Sequence, residues 1–98
     1  MQVFEDRIAL EAFCRRHMIK SLSLFGSTLK GTATPESDVD LLVAFEEAAK
    51  PSLLDLVQME IELSELVGGK KVDLRTANDL SRYFRDEVVA SAVVQYTA

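Results

Sequence analysis

The chain has 98 residues, a formal net charge of −5 and one cysteine. This length predicts a single domain, residues 1–98, and the lone Cys14 excludes an internal disulfide, which suits a reducing cytoplasm. The acidic balance argues against the basic surface that long contacts with a nucleic-acid backbone need. No apolar run approaches the roughly 18 residues of a membrane span, and the first residues lack a signal-peptide layout.

An amphipathic helix is predicted for residues 3–18, because apolar side chains recur there at helical spacing. The side chains predicted to face the core are Phe4, Ile8, Ala9, Ala12 and Phe13. Near the end of this helix, Cys14 is interpreted as a core thiol and His17 as a residue that stabilises the helix C-terminus. The chain has no second cysteine or histidine with which these two could form a zinc site.

Three stretches with alternating apolar residues are predicted to be β-strands, at 21–25, 38–45 and 71–75. In the first strand, Leu22 and Leu24 share one face, which we expect to be buried. The residues of the second strand that share a face are Val39, Leu41, Val43 and Phe45.

A long helix is predicted to begin at Pro51–Ser52, with Ser52 as its N-cap, and to stop at Gly68–Gly69. Its predicted core stripe is Leu56, Met59, Leu63 and Leu66. Residues 80–96 are predicted to be mostly helical. The resulting order of elements predicts an α/β (α+β) fold, in which a small mixed β-sheet carries helices packed on one face.

Three aspartates carry the predicted chemistry. Asp38 and Asp40 are two residues apart in a strand, so both side chains project from the same face. Asp73 lies in another strand, and it can face the same side if the two strands are neighbours. Three carboxylates there would repel one another unless protons or cations relieve the repulsion. Because hard divalent cations prefer oxygen ligands, we predict Mg²⁺, with two ions about 3.5–4 Å apart bridged by Asp38 and Asp40.

A phosphate-binding element is predicted upstream of these aspartates. Gly26 permits a close approach of the backbone, and Ser27 offers a hydroxyl group. A first helical turn at residues 27–31 would present free N–H groups that suit triphosphate oxygens. Lys30 could add a positive charge to the same phosphates.

Each of these elements alone is common in proteins. An Asp-x-Asp pair occurs in many solvated loops, and Asp73 alone could be solvated or paired with Arg75. Together, a phosphate-binding turn and three carboxylates have the layout of phosphoryl-type transfer, in which the protein mainly positions reactants and neutralises charge.

These residues resemble the signature of the DNA polymerase β-like nucleotidyltransferases. Gly26–Ser27, ten further residues and Asp38-Val39-Asp40 match the family pattern G-S-x10-D-x-D. Over nearly its whole length, the chain is more closely similar to the minimal nucleotidyltransferases, or MNT proteins. This resemblance implies that Asp38, Asp40 and Asp73 bind the metal ions and that Asp73 helps to deprotonate the attacking hydroxyl.

The resemblance also implies roles for the phosphate-binding residues. Gly26 and Ser27 would hold the β- and γ-phosphates, and Lys30 takes the position where relatives often carry a phosphate-binding arginine. Thr28 departs from the family pattern, because an arginine usually follows the Gly-Ser pair there. This difference removes one possible phosphate contact.

Many MNT proteins that resemble this chain pair with a HEPN-domain ribonuclease toxin. In the type VII toxin–antitoxin arrangement, the MNT protein transfers AMP from ATP to a tyrosine of the toxin and silences it. The resemblance therefore implies a Mg²⁺- and ATP-dependent antitoxin. Since a single predicted domain offers no separate domain to bind an acceptor, we expect a partner protein or a homodimer to supply that site.

Two other functions stay open. The chain could be a binding module that masks its partner toxin by complex formation alone, or a nucleotide-sensing subunit that binds ATP without turnover. For any of these functions, the last predicted helix is the expected partner surface. Its valines are Val88, Val89, Val93 and Val94.

Overall fold

A computed structural model describes residues 3–26, 38–80, 82–83 and 85–98. The described elements follow one another in chain order. They are α1 (Arg7–Arg16), β1 (Ile19–Phe25), β2 (Val39–Phe45), α2 (Leu53–Leu66), β3 (Val72–Arg75), a 3-10 turn (Ala77–Asp79), α3 (Arg85–Ser91) and β4 (Val93–Thr97). The helical turn predicted at residues 27–31 lies outside the described residues.

The four strands form one mixed sheet in the order β3-β2-β1-β4. β1 pairs antiparallel with both β2 and β4, whereas β2 and β3 are parallel. The predicted mixed sheet and the predicted fold class are therefore confirmed. The parallel pair is joined at its start by a hydrogen bond of 2.8 Å from the Val39 N–H to the Lys71 carbonyl oxygen.

The hydrophobic core lies on one face of this sheet. The predicted alternation is confirmed, since Leu22, Leu24 and Leu41 are fully buried and Phe45 is partly buried against the core. Helices α1 and α2 contribute the other layer, with Met59 of α2 buried. Burial of each such side chain contributes about 1.5–3 kcal/mol, so this face supplies much of the stability of the fold.

The ends of α2 follow local chemistry, as predicted. Ser52 and Asp55 form a reciprocal capping box, in which the Ser52 N–H donates to Asp55 Oδ2 at 2.8 Å and the Asp55 N–H donates to Ser52 Oγ at 3.1 Å. Gly68 and Gly69 follow the helix with positive φ angles. Helix α2 has 14 residues, and no described helix is long and apolar enough to cross a membrane.

Helix α1 is shorter than predicted and presents a different face to the core. It begins at Arg7. The preceding residue, Asp6, is the N-cap and accepts a hydrogen bond from the Ala9 N–H at 3.0 Å. The predicted stripe was wrong at Ile8, which is 83% exposed, and at Ala12, which is also exposed. The buried residues are Leu10, Phe13 and Cys14. The face toward the core therefore carries Leu10 and Cys14 beside the predicted Phe13.

The interpretation of Cys14 as a core thiol is confirmed. Its side chain is buried, and burial raises the pKa of the thiol to about 12. The thiol therefore stays protonated at neutral pH and lacks the nucleophilic character of a thiolate.

The predicted helix over residues 80–96 was wrong at its C-terminal end. Helix α3 stops at Ser91, and residues Val93–Thr97 form β4 on the edge of β1. Val93, Val94 and Thr97 are β-branched residues, which favour strands. Their pairing with β1 also satisfies the backbone groups of β1 that would be unpaired at the sheet edge if these residues were helical. The predicted valine surface is consequently split between a helix and a strand.

Gln95 of β4 connects the two ends of the described chain. Its side chain is 1% exposed, and its Oε1 accepts a hydrogen bond from the Val3 N–H at 3.2 Å. The Arg7 guanidinium donates a hydrogen bond to the carbonyl oxygen of Gln95. We call these two interactions the Gln95 contact.

Candidate active site

Asp40 and Asp73 lie side by side on the sheet. They are Cα partners in the parallel register of β2 and β3, so their side chains project from the same face. The neighbours Leu41 and Leu74 point into the core, which places both carboxylates on the face opposite to α1 and α2. The predicted condition that the two strands are neighbours is met.

Gly26 brings the end of β1 directly against Asp40. Phe25 is the Cα partner of Asp40, and Gly26 follows with a φ of +82°. A Cβ atom added to Gly26 would lie 2.1 Å from Asp40 Oδ2 and 2.9 Å from Asp40 Cγ. Only glycine permits both this φ and this approach. The start of the predicted phosphate-binding turn therefore touches one of the predicted metal-binding carboxylates.

Arg75 holds the carboxylate of Asp73. Its Nε donates to Asp73 Oδ1 at 3.1 Å and its guanidinium nitrogen donates to Asp73 Oδ2 at 3.3 Å. The hydrogen bond with Asp73 raises the pKa of Arg75, and the charges of Asp73, Asp79 and Asp40 act in the same direction. Since the Arg75 side chain is 49% exposed, solvent screens this pair. The alternative in which Asp73 pairs with Arg75 is thus confirmed.

Asp38 is half-buried and lies immediately before β2. Alternation along the strand places it on the side of Asp40. Among the residues that the structure describes, no three His, Cys, Asp or Glu side chains come together as a group that could hold a metal ion. The carboxylate oxygens of Asp40 and Asp73 are the kind of ligand that Mg²⁺ prefers. In this structure, the positive charge beside these carboxylates is that of Arg75. Ser27 and Lys30 lie outside the described residues.

Glu60 of α2 is a supporting residue that no sequence pattern identifies. Its Oε2 accepts a hydrogen bond of 2.8 Å from the Leu74 N–H. β3 is an edge strand, so this backbone donor would otherwise lack a strand partner on its outer side. The contact ties the strand that carries Asp73 to the helix layer.

Comparison with known proteins identifies the family of the chain. Residues 6–95 match the family model described as a nucleotidyltransferase domain. The chain is 40% identical, over 95% of its length and 97% of the relative, to MJ0435 of Methanocaldococcus jannaschii, which is named as a candidate protein adenylyltransferase. It is 37% identical, over 80% of its length and 76% of the relative, to the protein adenylyltransferase MntA of Thermococcus cleftensis.

Solved structures give the same result. A structure described as a candidate minimal nucleotidyltransferase superposes with a TM-score of 0.70 at 37% identity, and the match covers 89% of this chain and 86% of the other. A toxin–antitoxin structure with AMP-PNP shares the fold, with a TM-score of 0.71 at 20% identity over 95% of this chain and 74% of the other. The fold and the close approach of Gly26 to Asp40 agree with these matches. The chain belongs to the nucleotidyltransferase domain family, and it is similar to the minimal nucleotidyltransferases.

Proposed function

We propose that this chain is a Mg²⁺-dependent protein adenylyltransferase that acts as an antitoxin. Its acceptor would be a tyrosine hydroxyl of a cognate HEPN-domain ribonuclease toxin, and its donor would be ATP. The observation that carries the proposal is the close approach of Gly26 to Asp40, with Asp73 beside Asp40 on the next strand. This arrangement suits a triphosphate held next to carboxylates that bind metal ions.

In this proposal the acceptor oxygen attacks the α-phosphorus of ATP. The bond from that phosphorus to the bridging oxygen breaks, pyrophosphate leaves and AMP remains on the acceptor. Asp73 takes the proton of the acceptor hydroxyl, while Gly26, Ser27 and Lys30 hold the β- and γ-phosphates. Bound Mg²⁺, with two ions held by Asp38, Asp40 and Asp73, would neutralise the phosphate charge.

Release of Asp73 from Arg75 is part of the proposed cycle. The positive charge of Arg75, held against both oxygens of Asp73, opposes the approach of a metal ion to the same carboxylate. Because the ion pair is half-exposed, its replacement by Mg²⁺ meets only a small energetic barrier from the pair itself.

Two relatives named as protein adenylyltransferases and the toxin–antitoxin neighbours support the choice of a protein acceptor. We further propose that residues 1–98 act as one minimal domain in the cytoplasm, where ATP is available. In this proposal the toxin, or a second copy of the chain, supplies the acceptor side of the site.

The proposal is tested by mass spectrometry of the cognate toxin after incubation with the chain, ATP and Mg²⁺. We expect the toxin mass to rise by one AMP and its ribonuclease activity to fall. Asp40→Asn should slow the transfer by roughly 100-fold or more, because it removes a carboxylate that would hold Mg²⁺ beside the reacting phosphate. Asp86→Asn, an exposed carboxylate of α3, is the matched control and should transfer at the normal rate. An unmodified, active toxin would overturn the proposal.

A second candidate function is masking of the toxin without catalysis. The Arg75–Asp73 pair favours it, because this pair neutralises one predicted metal ligand within the chain itself. The two functions differ in their response to Asp40→Asn. If the variant forms the complex and neutralises the toxin as well as the unaltered chain does, masking is the correct function.

A further inference from the structure

A cavity of about 310 Å³ lies on the same face of the sheet as Asp40. Its floor is formed by Ser21, Ser23, Leu42 and Ala44 of β1 and β2, and α3 with the residue after it forms a wall through Val89 and Ala92. None of these side chains has a role in the proposed transfer. We propose that this cavity binds the base of the substrate nucleotide.

The cavity lies next to the proposed reacting centre along β2. Leu42 follows Asp40 by two residues on the same face, which is a distance of about 6.6 Å along the strand. Ser23 is the Cα partner of Leu42, as Phe25 is of Asp40, and Ser21 pairs with Ala44 one step further. A nucleotide with its phosphates at Gly26 would therefore lay its ribose over Asp40 and Leu42 and its base in the cavity.

The position of the cavity within the sheet favours the nucleotide over the acceptor. Asp73, the proposed proton acceptor for the attacking hydroxyl, lies on β3 at one edge of the sheet. The cavity floor lies on β1 and β2 and reaches Val94 of β4, and on the side of β3 the lining includes only Ala77, in the turn after that strand and four residues from Asp73. An acceptor that approaches over β3 would leave the cavity to the donor nucleotide.

The chemistry of the lining suits a neutral aromatic ring. Leu42, Val89 and the alanines offer apolar surface, and the described lining residues include no charged side chain. The hydroxyls of Ser21 and Ser23 can each donate and accept a hydrogen bond, so they can pair with ring nitrogens or an exocyclic amino group. Phosphate or metal would find no counter-charge among these residues, whereas a heterocyclic base finds both packing and hydrogen bonds.

The inference rests on the proposed function, because it assumes a nucleotide substrate, and the test separates the two. The ¹³C-labelled alanine methyl groups of the full chain report on the site directly: Ala44 and Ala92 line the cavity, and the exposed Ala12 of α1 is a control. Adenosine without metal should shift the first two signals and leave the third unchanged. Tripolyphosphate with Mg²⁺ should shift the Gly26 amide and leave the cavity methyl groups unchanged.

A cavity-filling variant gives a second measurement. Ala44→Leu should weaken binding of Mg²⁺-ATP by roughly tenfold or more, because the added side chain occupies the space of the base. Its affinity for Mg²⁺-tripolyphosphate should stay within about twofold of the unaltered chain, since the phosphate site is untouched. Ala12→Leu, on an exposed helix surface, is the matched control and should bind both compounds normally.

The outcomes of these experiments distinguish the inference about the cavity from the proposed function. If Mg²⁺-ATP shifts the Gly26 amide but not the Ala44 and Ala92 methyl groups, the base binds elsewhere and the inference is wrong, while AMP transfer can stand. If adenosine and ATP fill the cavity but the cognate toxin is never modified, the proposed function fails and the nucleotide site stands. Equal weakening of ATP and tripolyphosphate by Ala44→Leu would also overturn the inference.

Discussion

The two faces of the sheet are built from the same strands but carry opposite kinds of side chain. Facing α1 and α2 are Leu22, Leu24 and Leu41, each fully buried. Facing away from α1 and α2 are Asp40 and Asp73, with the cavity and α3 beside them. Because successive residues of a strand alternate between faces, the chain can keep a dry core and a polar site within one strand. Substitutions at neighbouring positions should therefore affect either stability or chemistry, and seldom both.

The largest expected effect on stability tests the covered face. Leu41→Ala should lower the free energy of unfolding by about 2–5 kcal/mol, because it leaves a cavity at a side chain that is 0% exposed. Urea unfolding followed by circular dichroism measures this change. Leu54→Ala on α2, where the side chain is 80% exposed, is the control and should change stability by less than about 0.5 kcal/mol. Equal losses of stability in the two variants would contradict the assignment of Leu41 to the core and of Leu54 to the surface.

Gly26→Ala tests the contact between the end of β1 and the Asp40 carboxylate on the open face. The new methyl group adopts a strained φ and meets the Asp40 carboxylate, so we expect loss of stability and of Mg²⁺-ATP binding. Gly69→Ala is a matched control, because Gly69 has a similar φ of +87° and no atom within 4 Å of an added Cβ. It carries only the backbone strain, about 1–2 kcal/mol. Stability and nucleotide affinity should therefore fall further for Gly26→Ala than for Gly69→Ala.

Ser52→Ala tests the helix layer far from the carboxylates. Loss of the capping box should reduce stability by about 1 kcal/mol and leave nucleotide binding unchanged. The same box lowers the pKa of Asp55, first through the backbone N–H of residue 52, which alanine keeps, and second through the Ser52 side chain, which alanine removes. A carboxyl group whose pKa is lower in the folded than in the unfolded protein stabilises the fold at pH values above its unfolded pKa. This contribution is lost as the pH falls through its folded pKa. Acid titration of unfolding should therefore show the difference between the two chains shrinking as the pH falls, and a constant difference would contradict it.

Arg75→Gln should have the smallest effect on stability, under about 1 kcal/mol, because the ion pair with Asp73 is half-exposed. Its effect should appear instead at the site: without the competing guanidinium, the proposed Mg²⁺ affinity should increase. Calorimetric titration with Mg²⁺ measures the change. Arg15→Gln removes an exposed pair with Glu11 on α1 and should leave Mg²⁺ binding unchanged. Weaker binding by Arg75→Gln would show that Arg75 supports the metal site.

Local signals predicted the parts of the fold that local chemistry determines. The alternation around Leu22 and Leu41, the cap at Ser52 and the glycines after α2 needed no knowledge of distant residues. The face of α1 and the strand at Val93–Thr97 depend on what the rest of the chain leaves uncovered, and sequence patterns do not contain that information.

The same distinction applies to the candidate site. Asp40 and Asp73 could be placed together because the prediction required only that two strands be neighbours. The pair between Asp73 and Arg75 was one open alternative, since the sequence could not choose between a salt bridge and a metal ligand. The cavity could not be predicted at all, because it depends on β4 pairing with β1 and on α3 lying above the sheet.

The Gln95 contact has a consequence for the order of folding. It joins residues separated by 92 positions through Val3 and by 88 through Arg7. On a ribosome, the first strands can pair early, but β4 and the segment before α1 can settle only after residue 95 has emerged. Such distant contacts slow folding, so the sheet edge at β1 stays open until late in synthesis. A chain that stalls before residue 93 would expose that edge, and we expect it to aggregate rather than to fold.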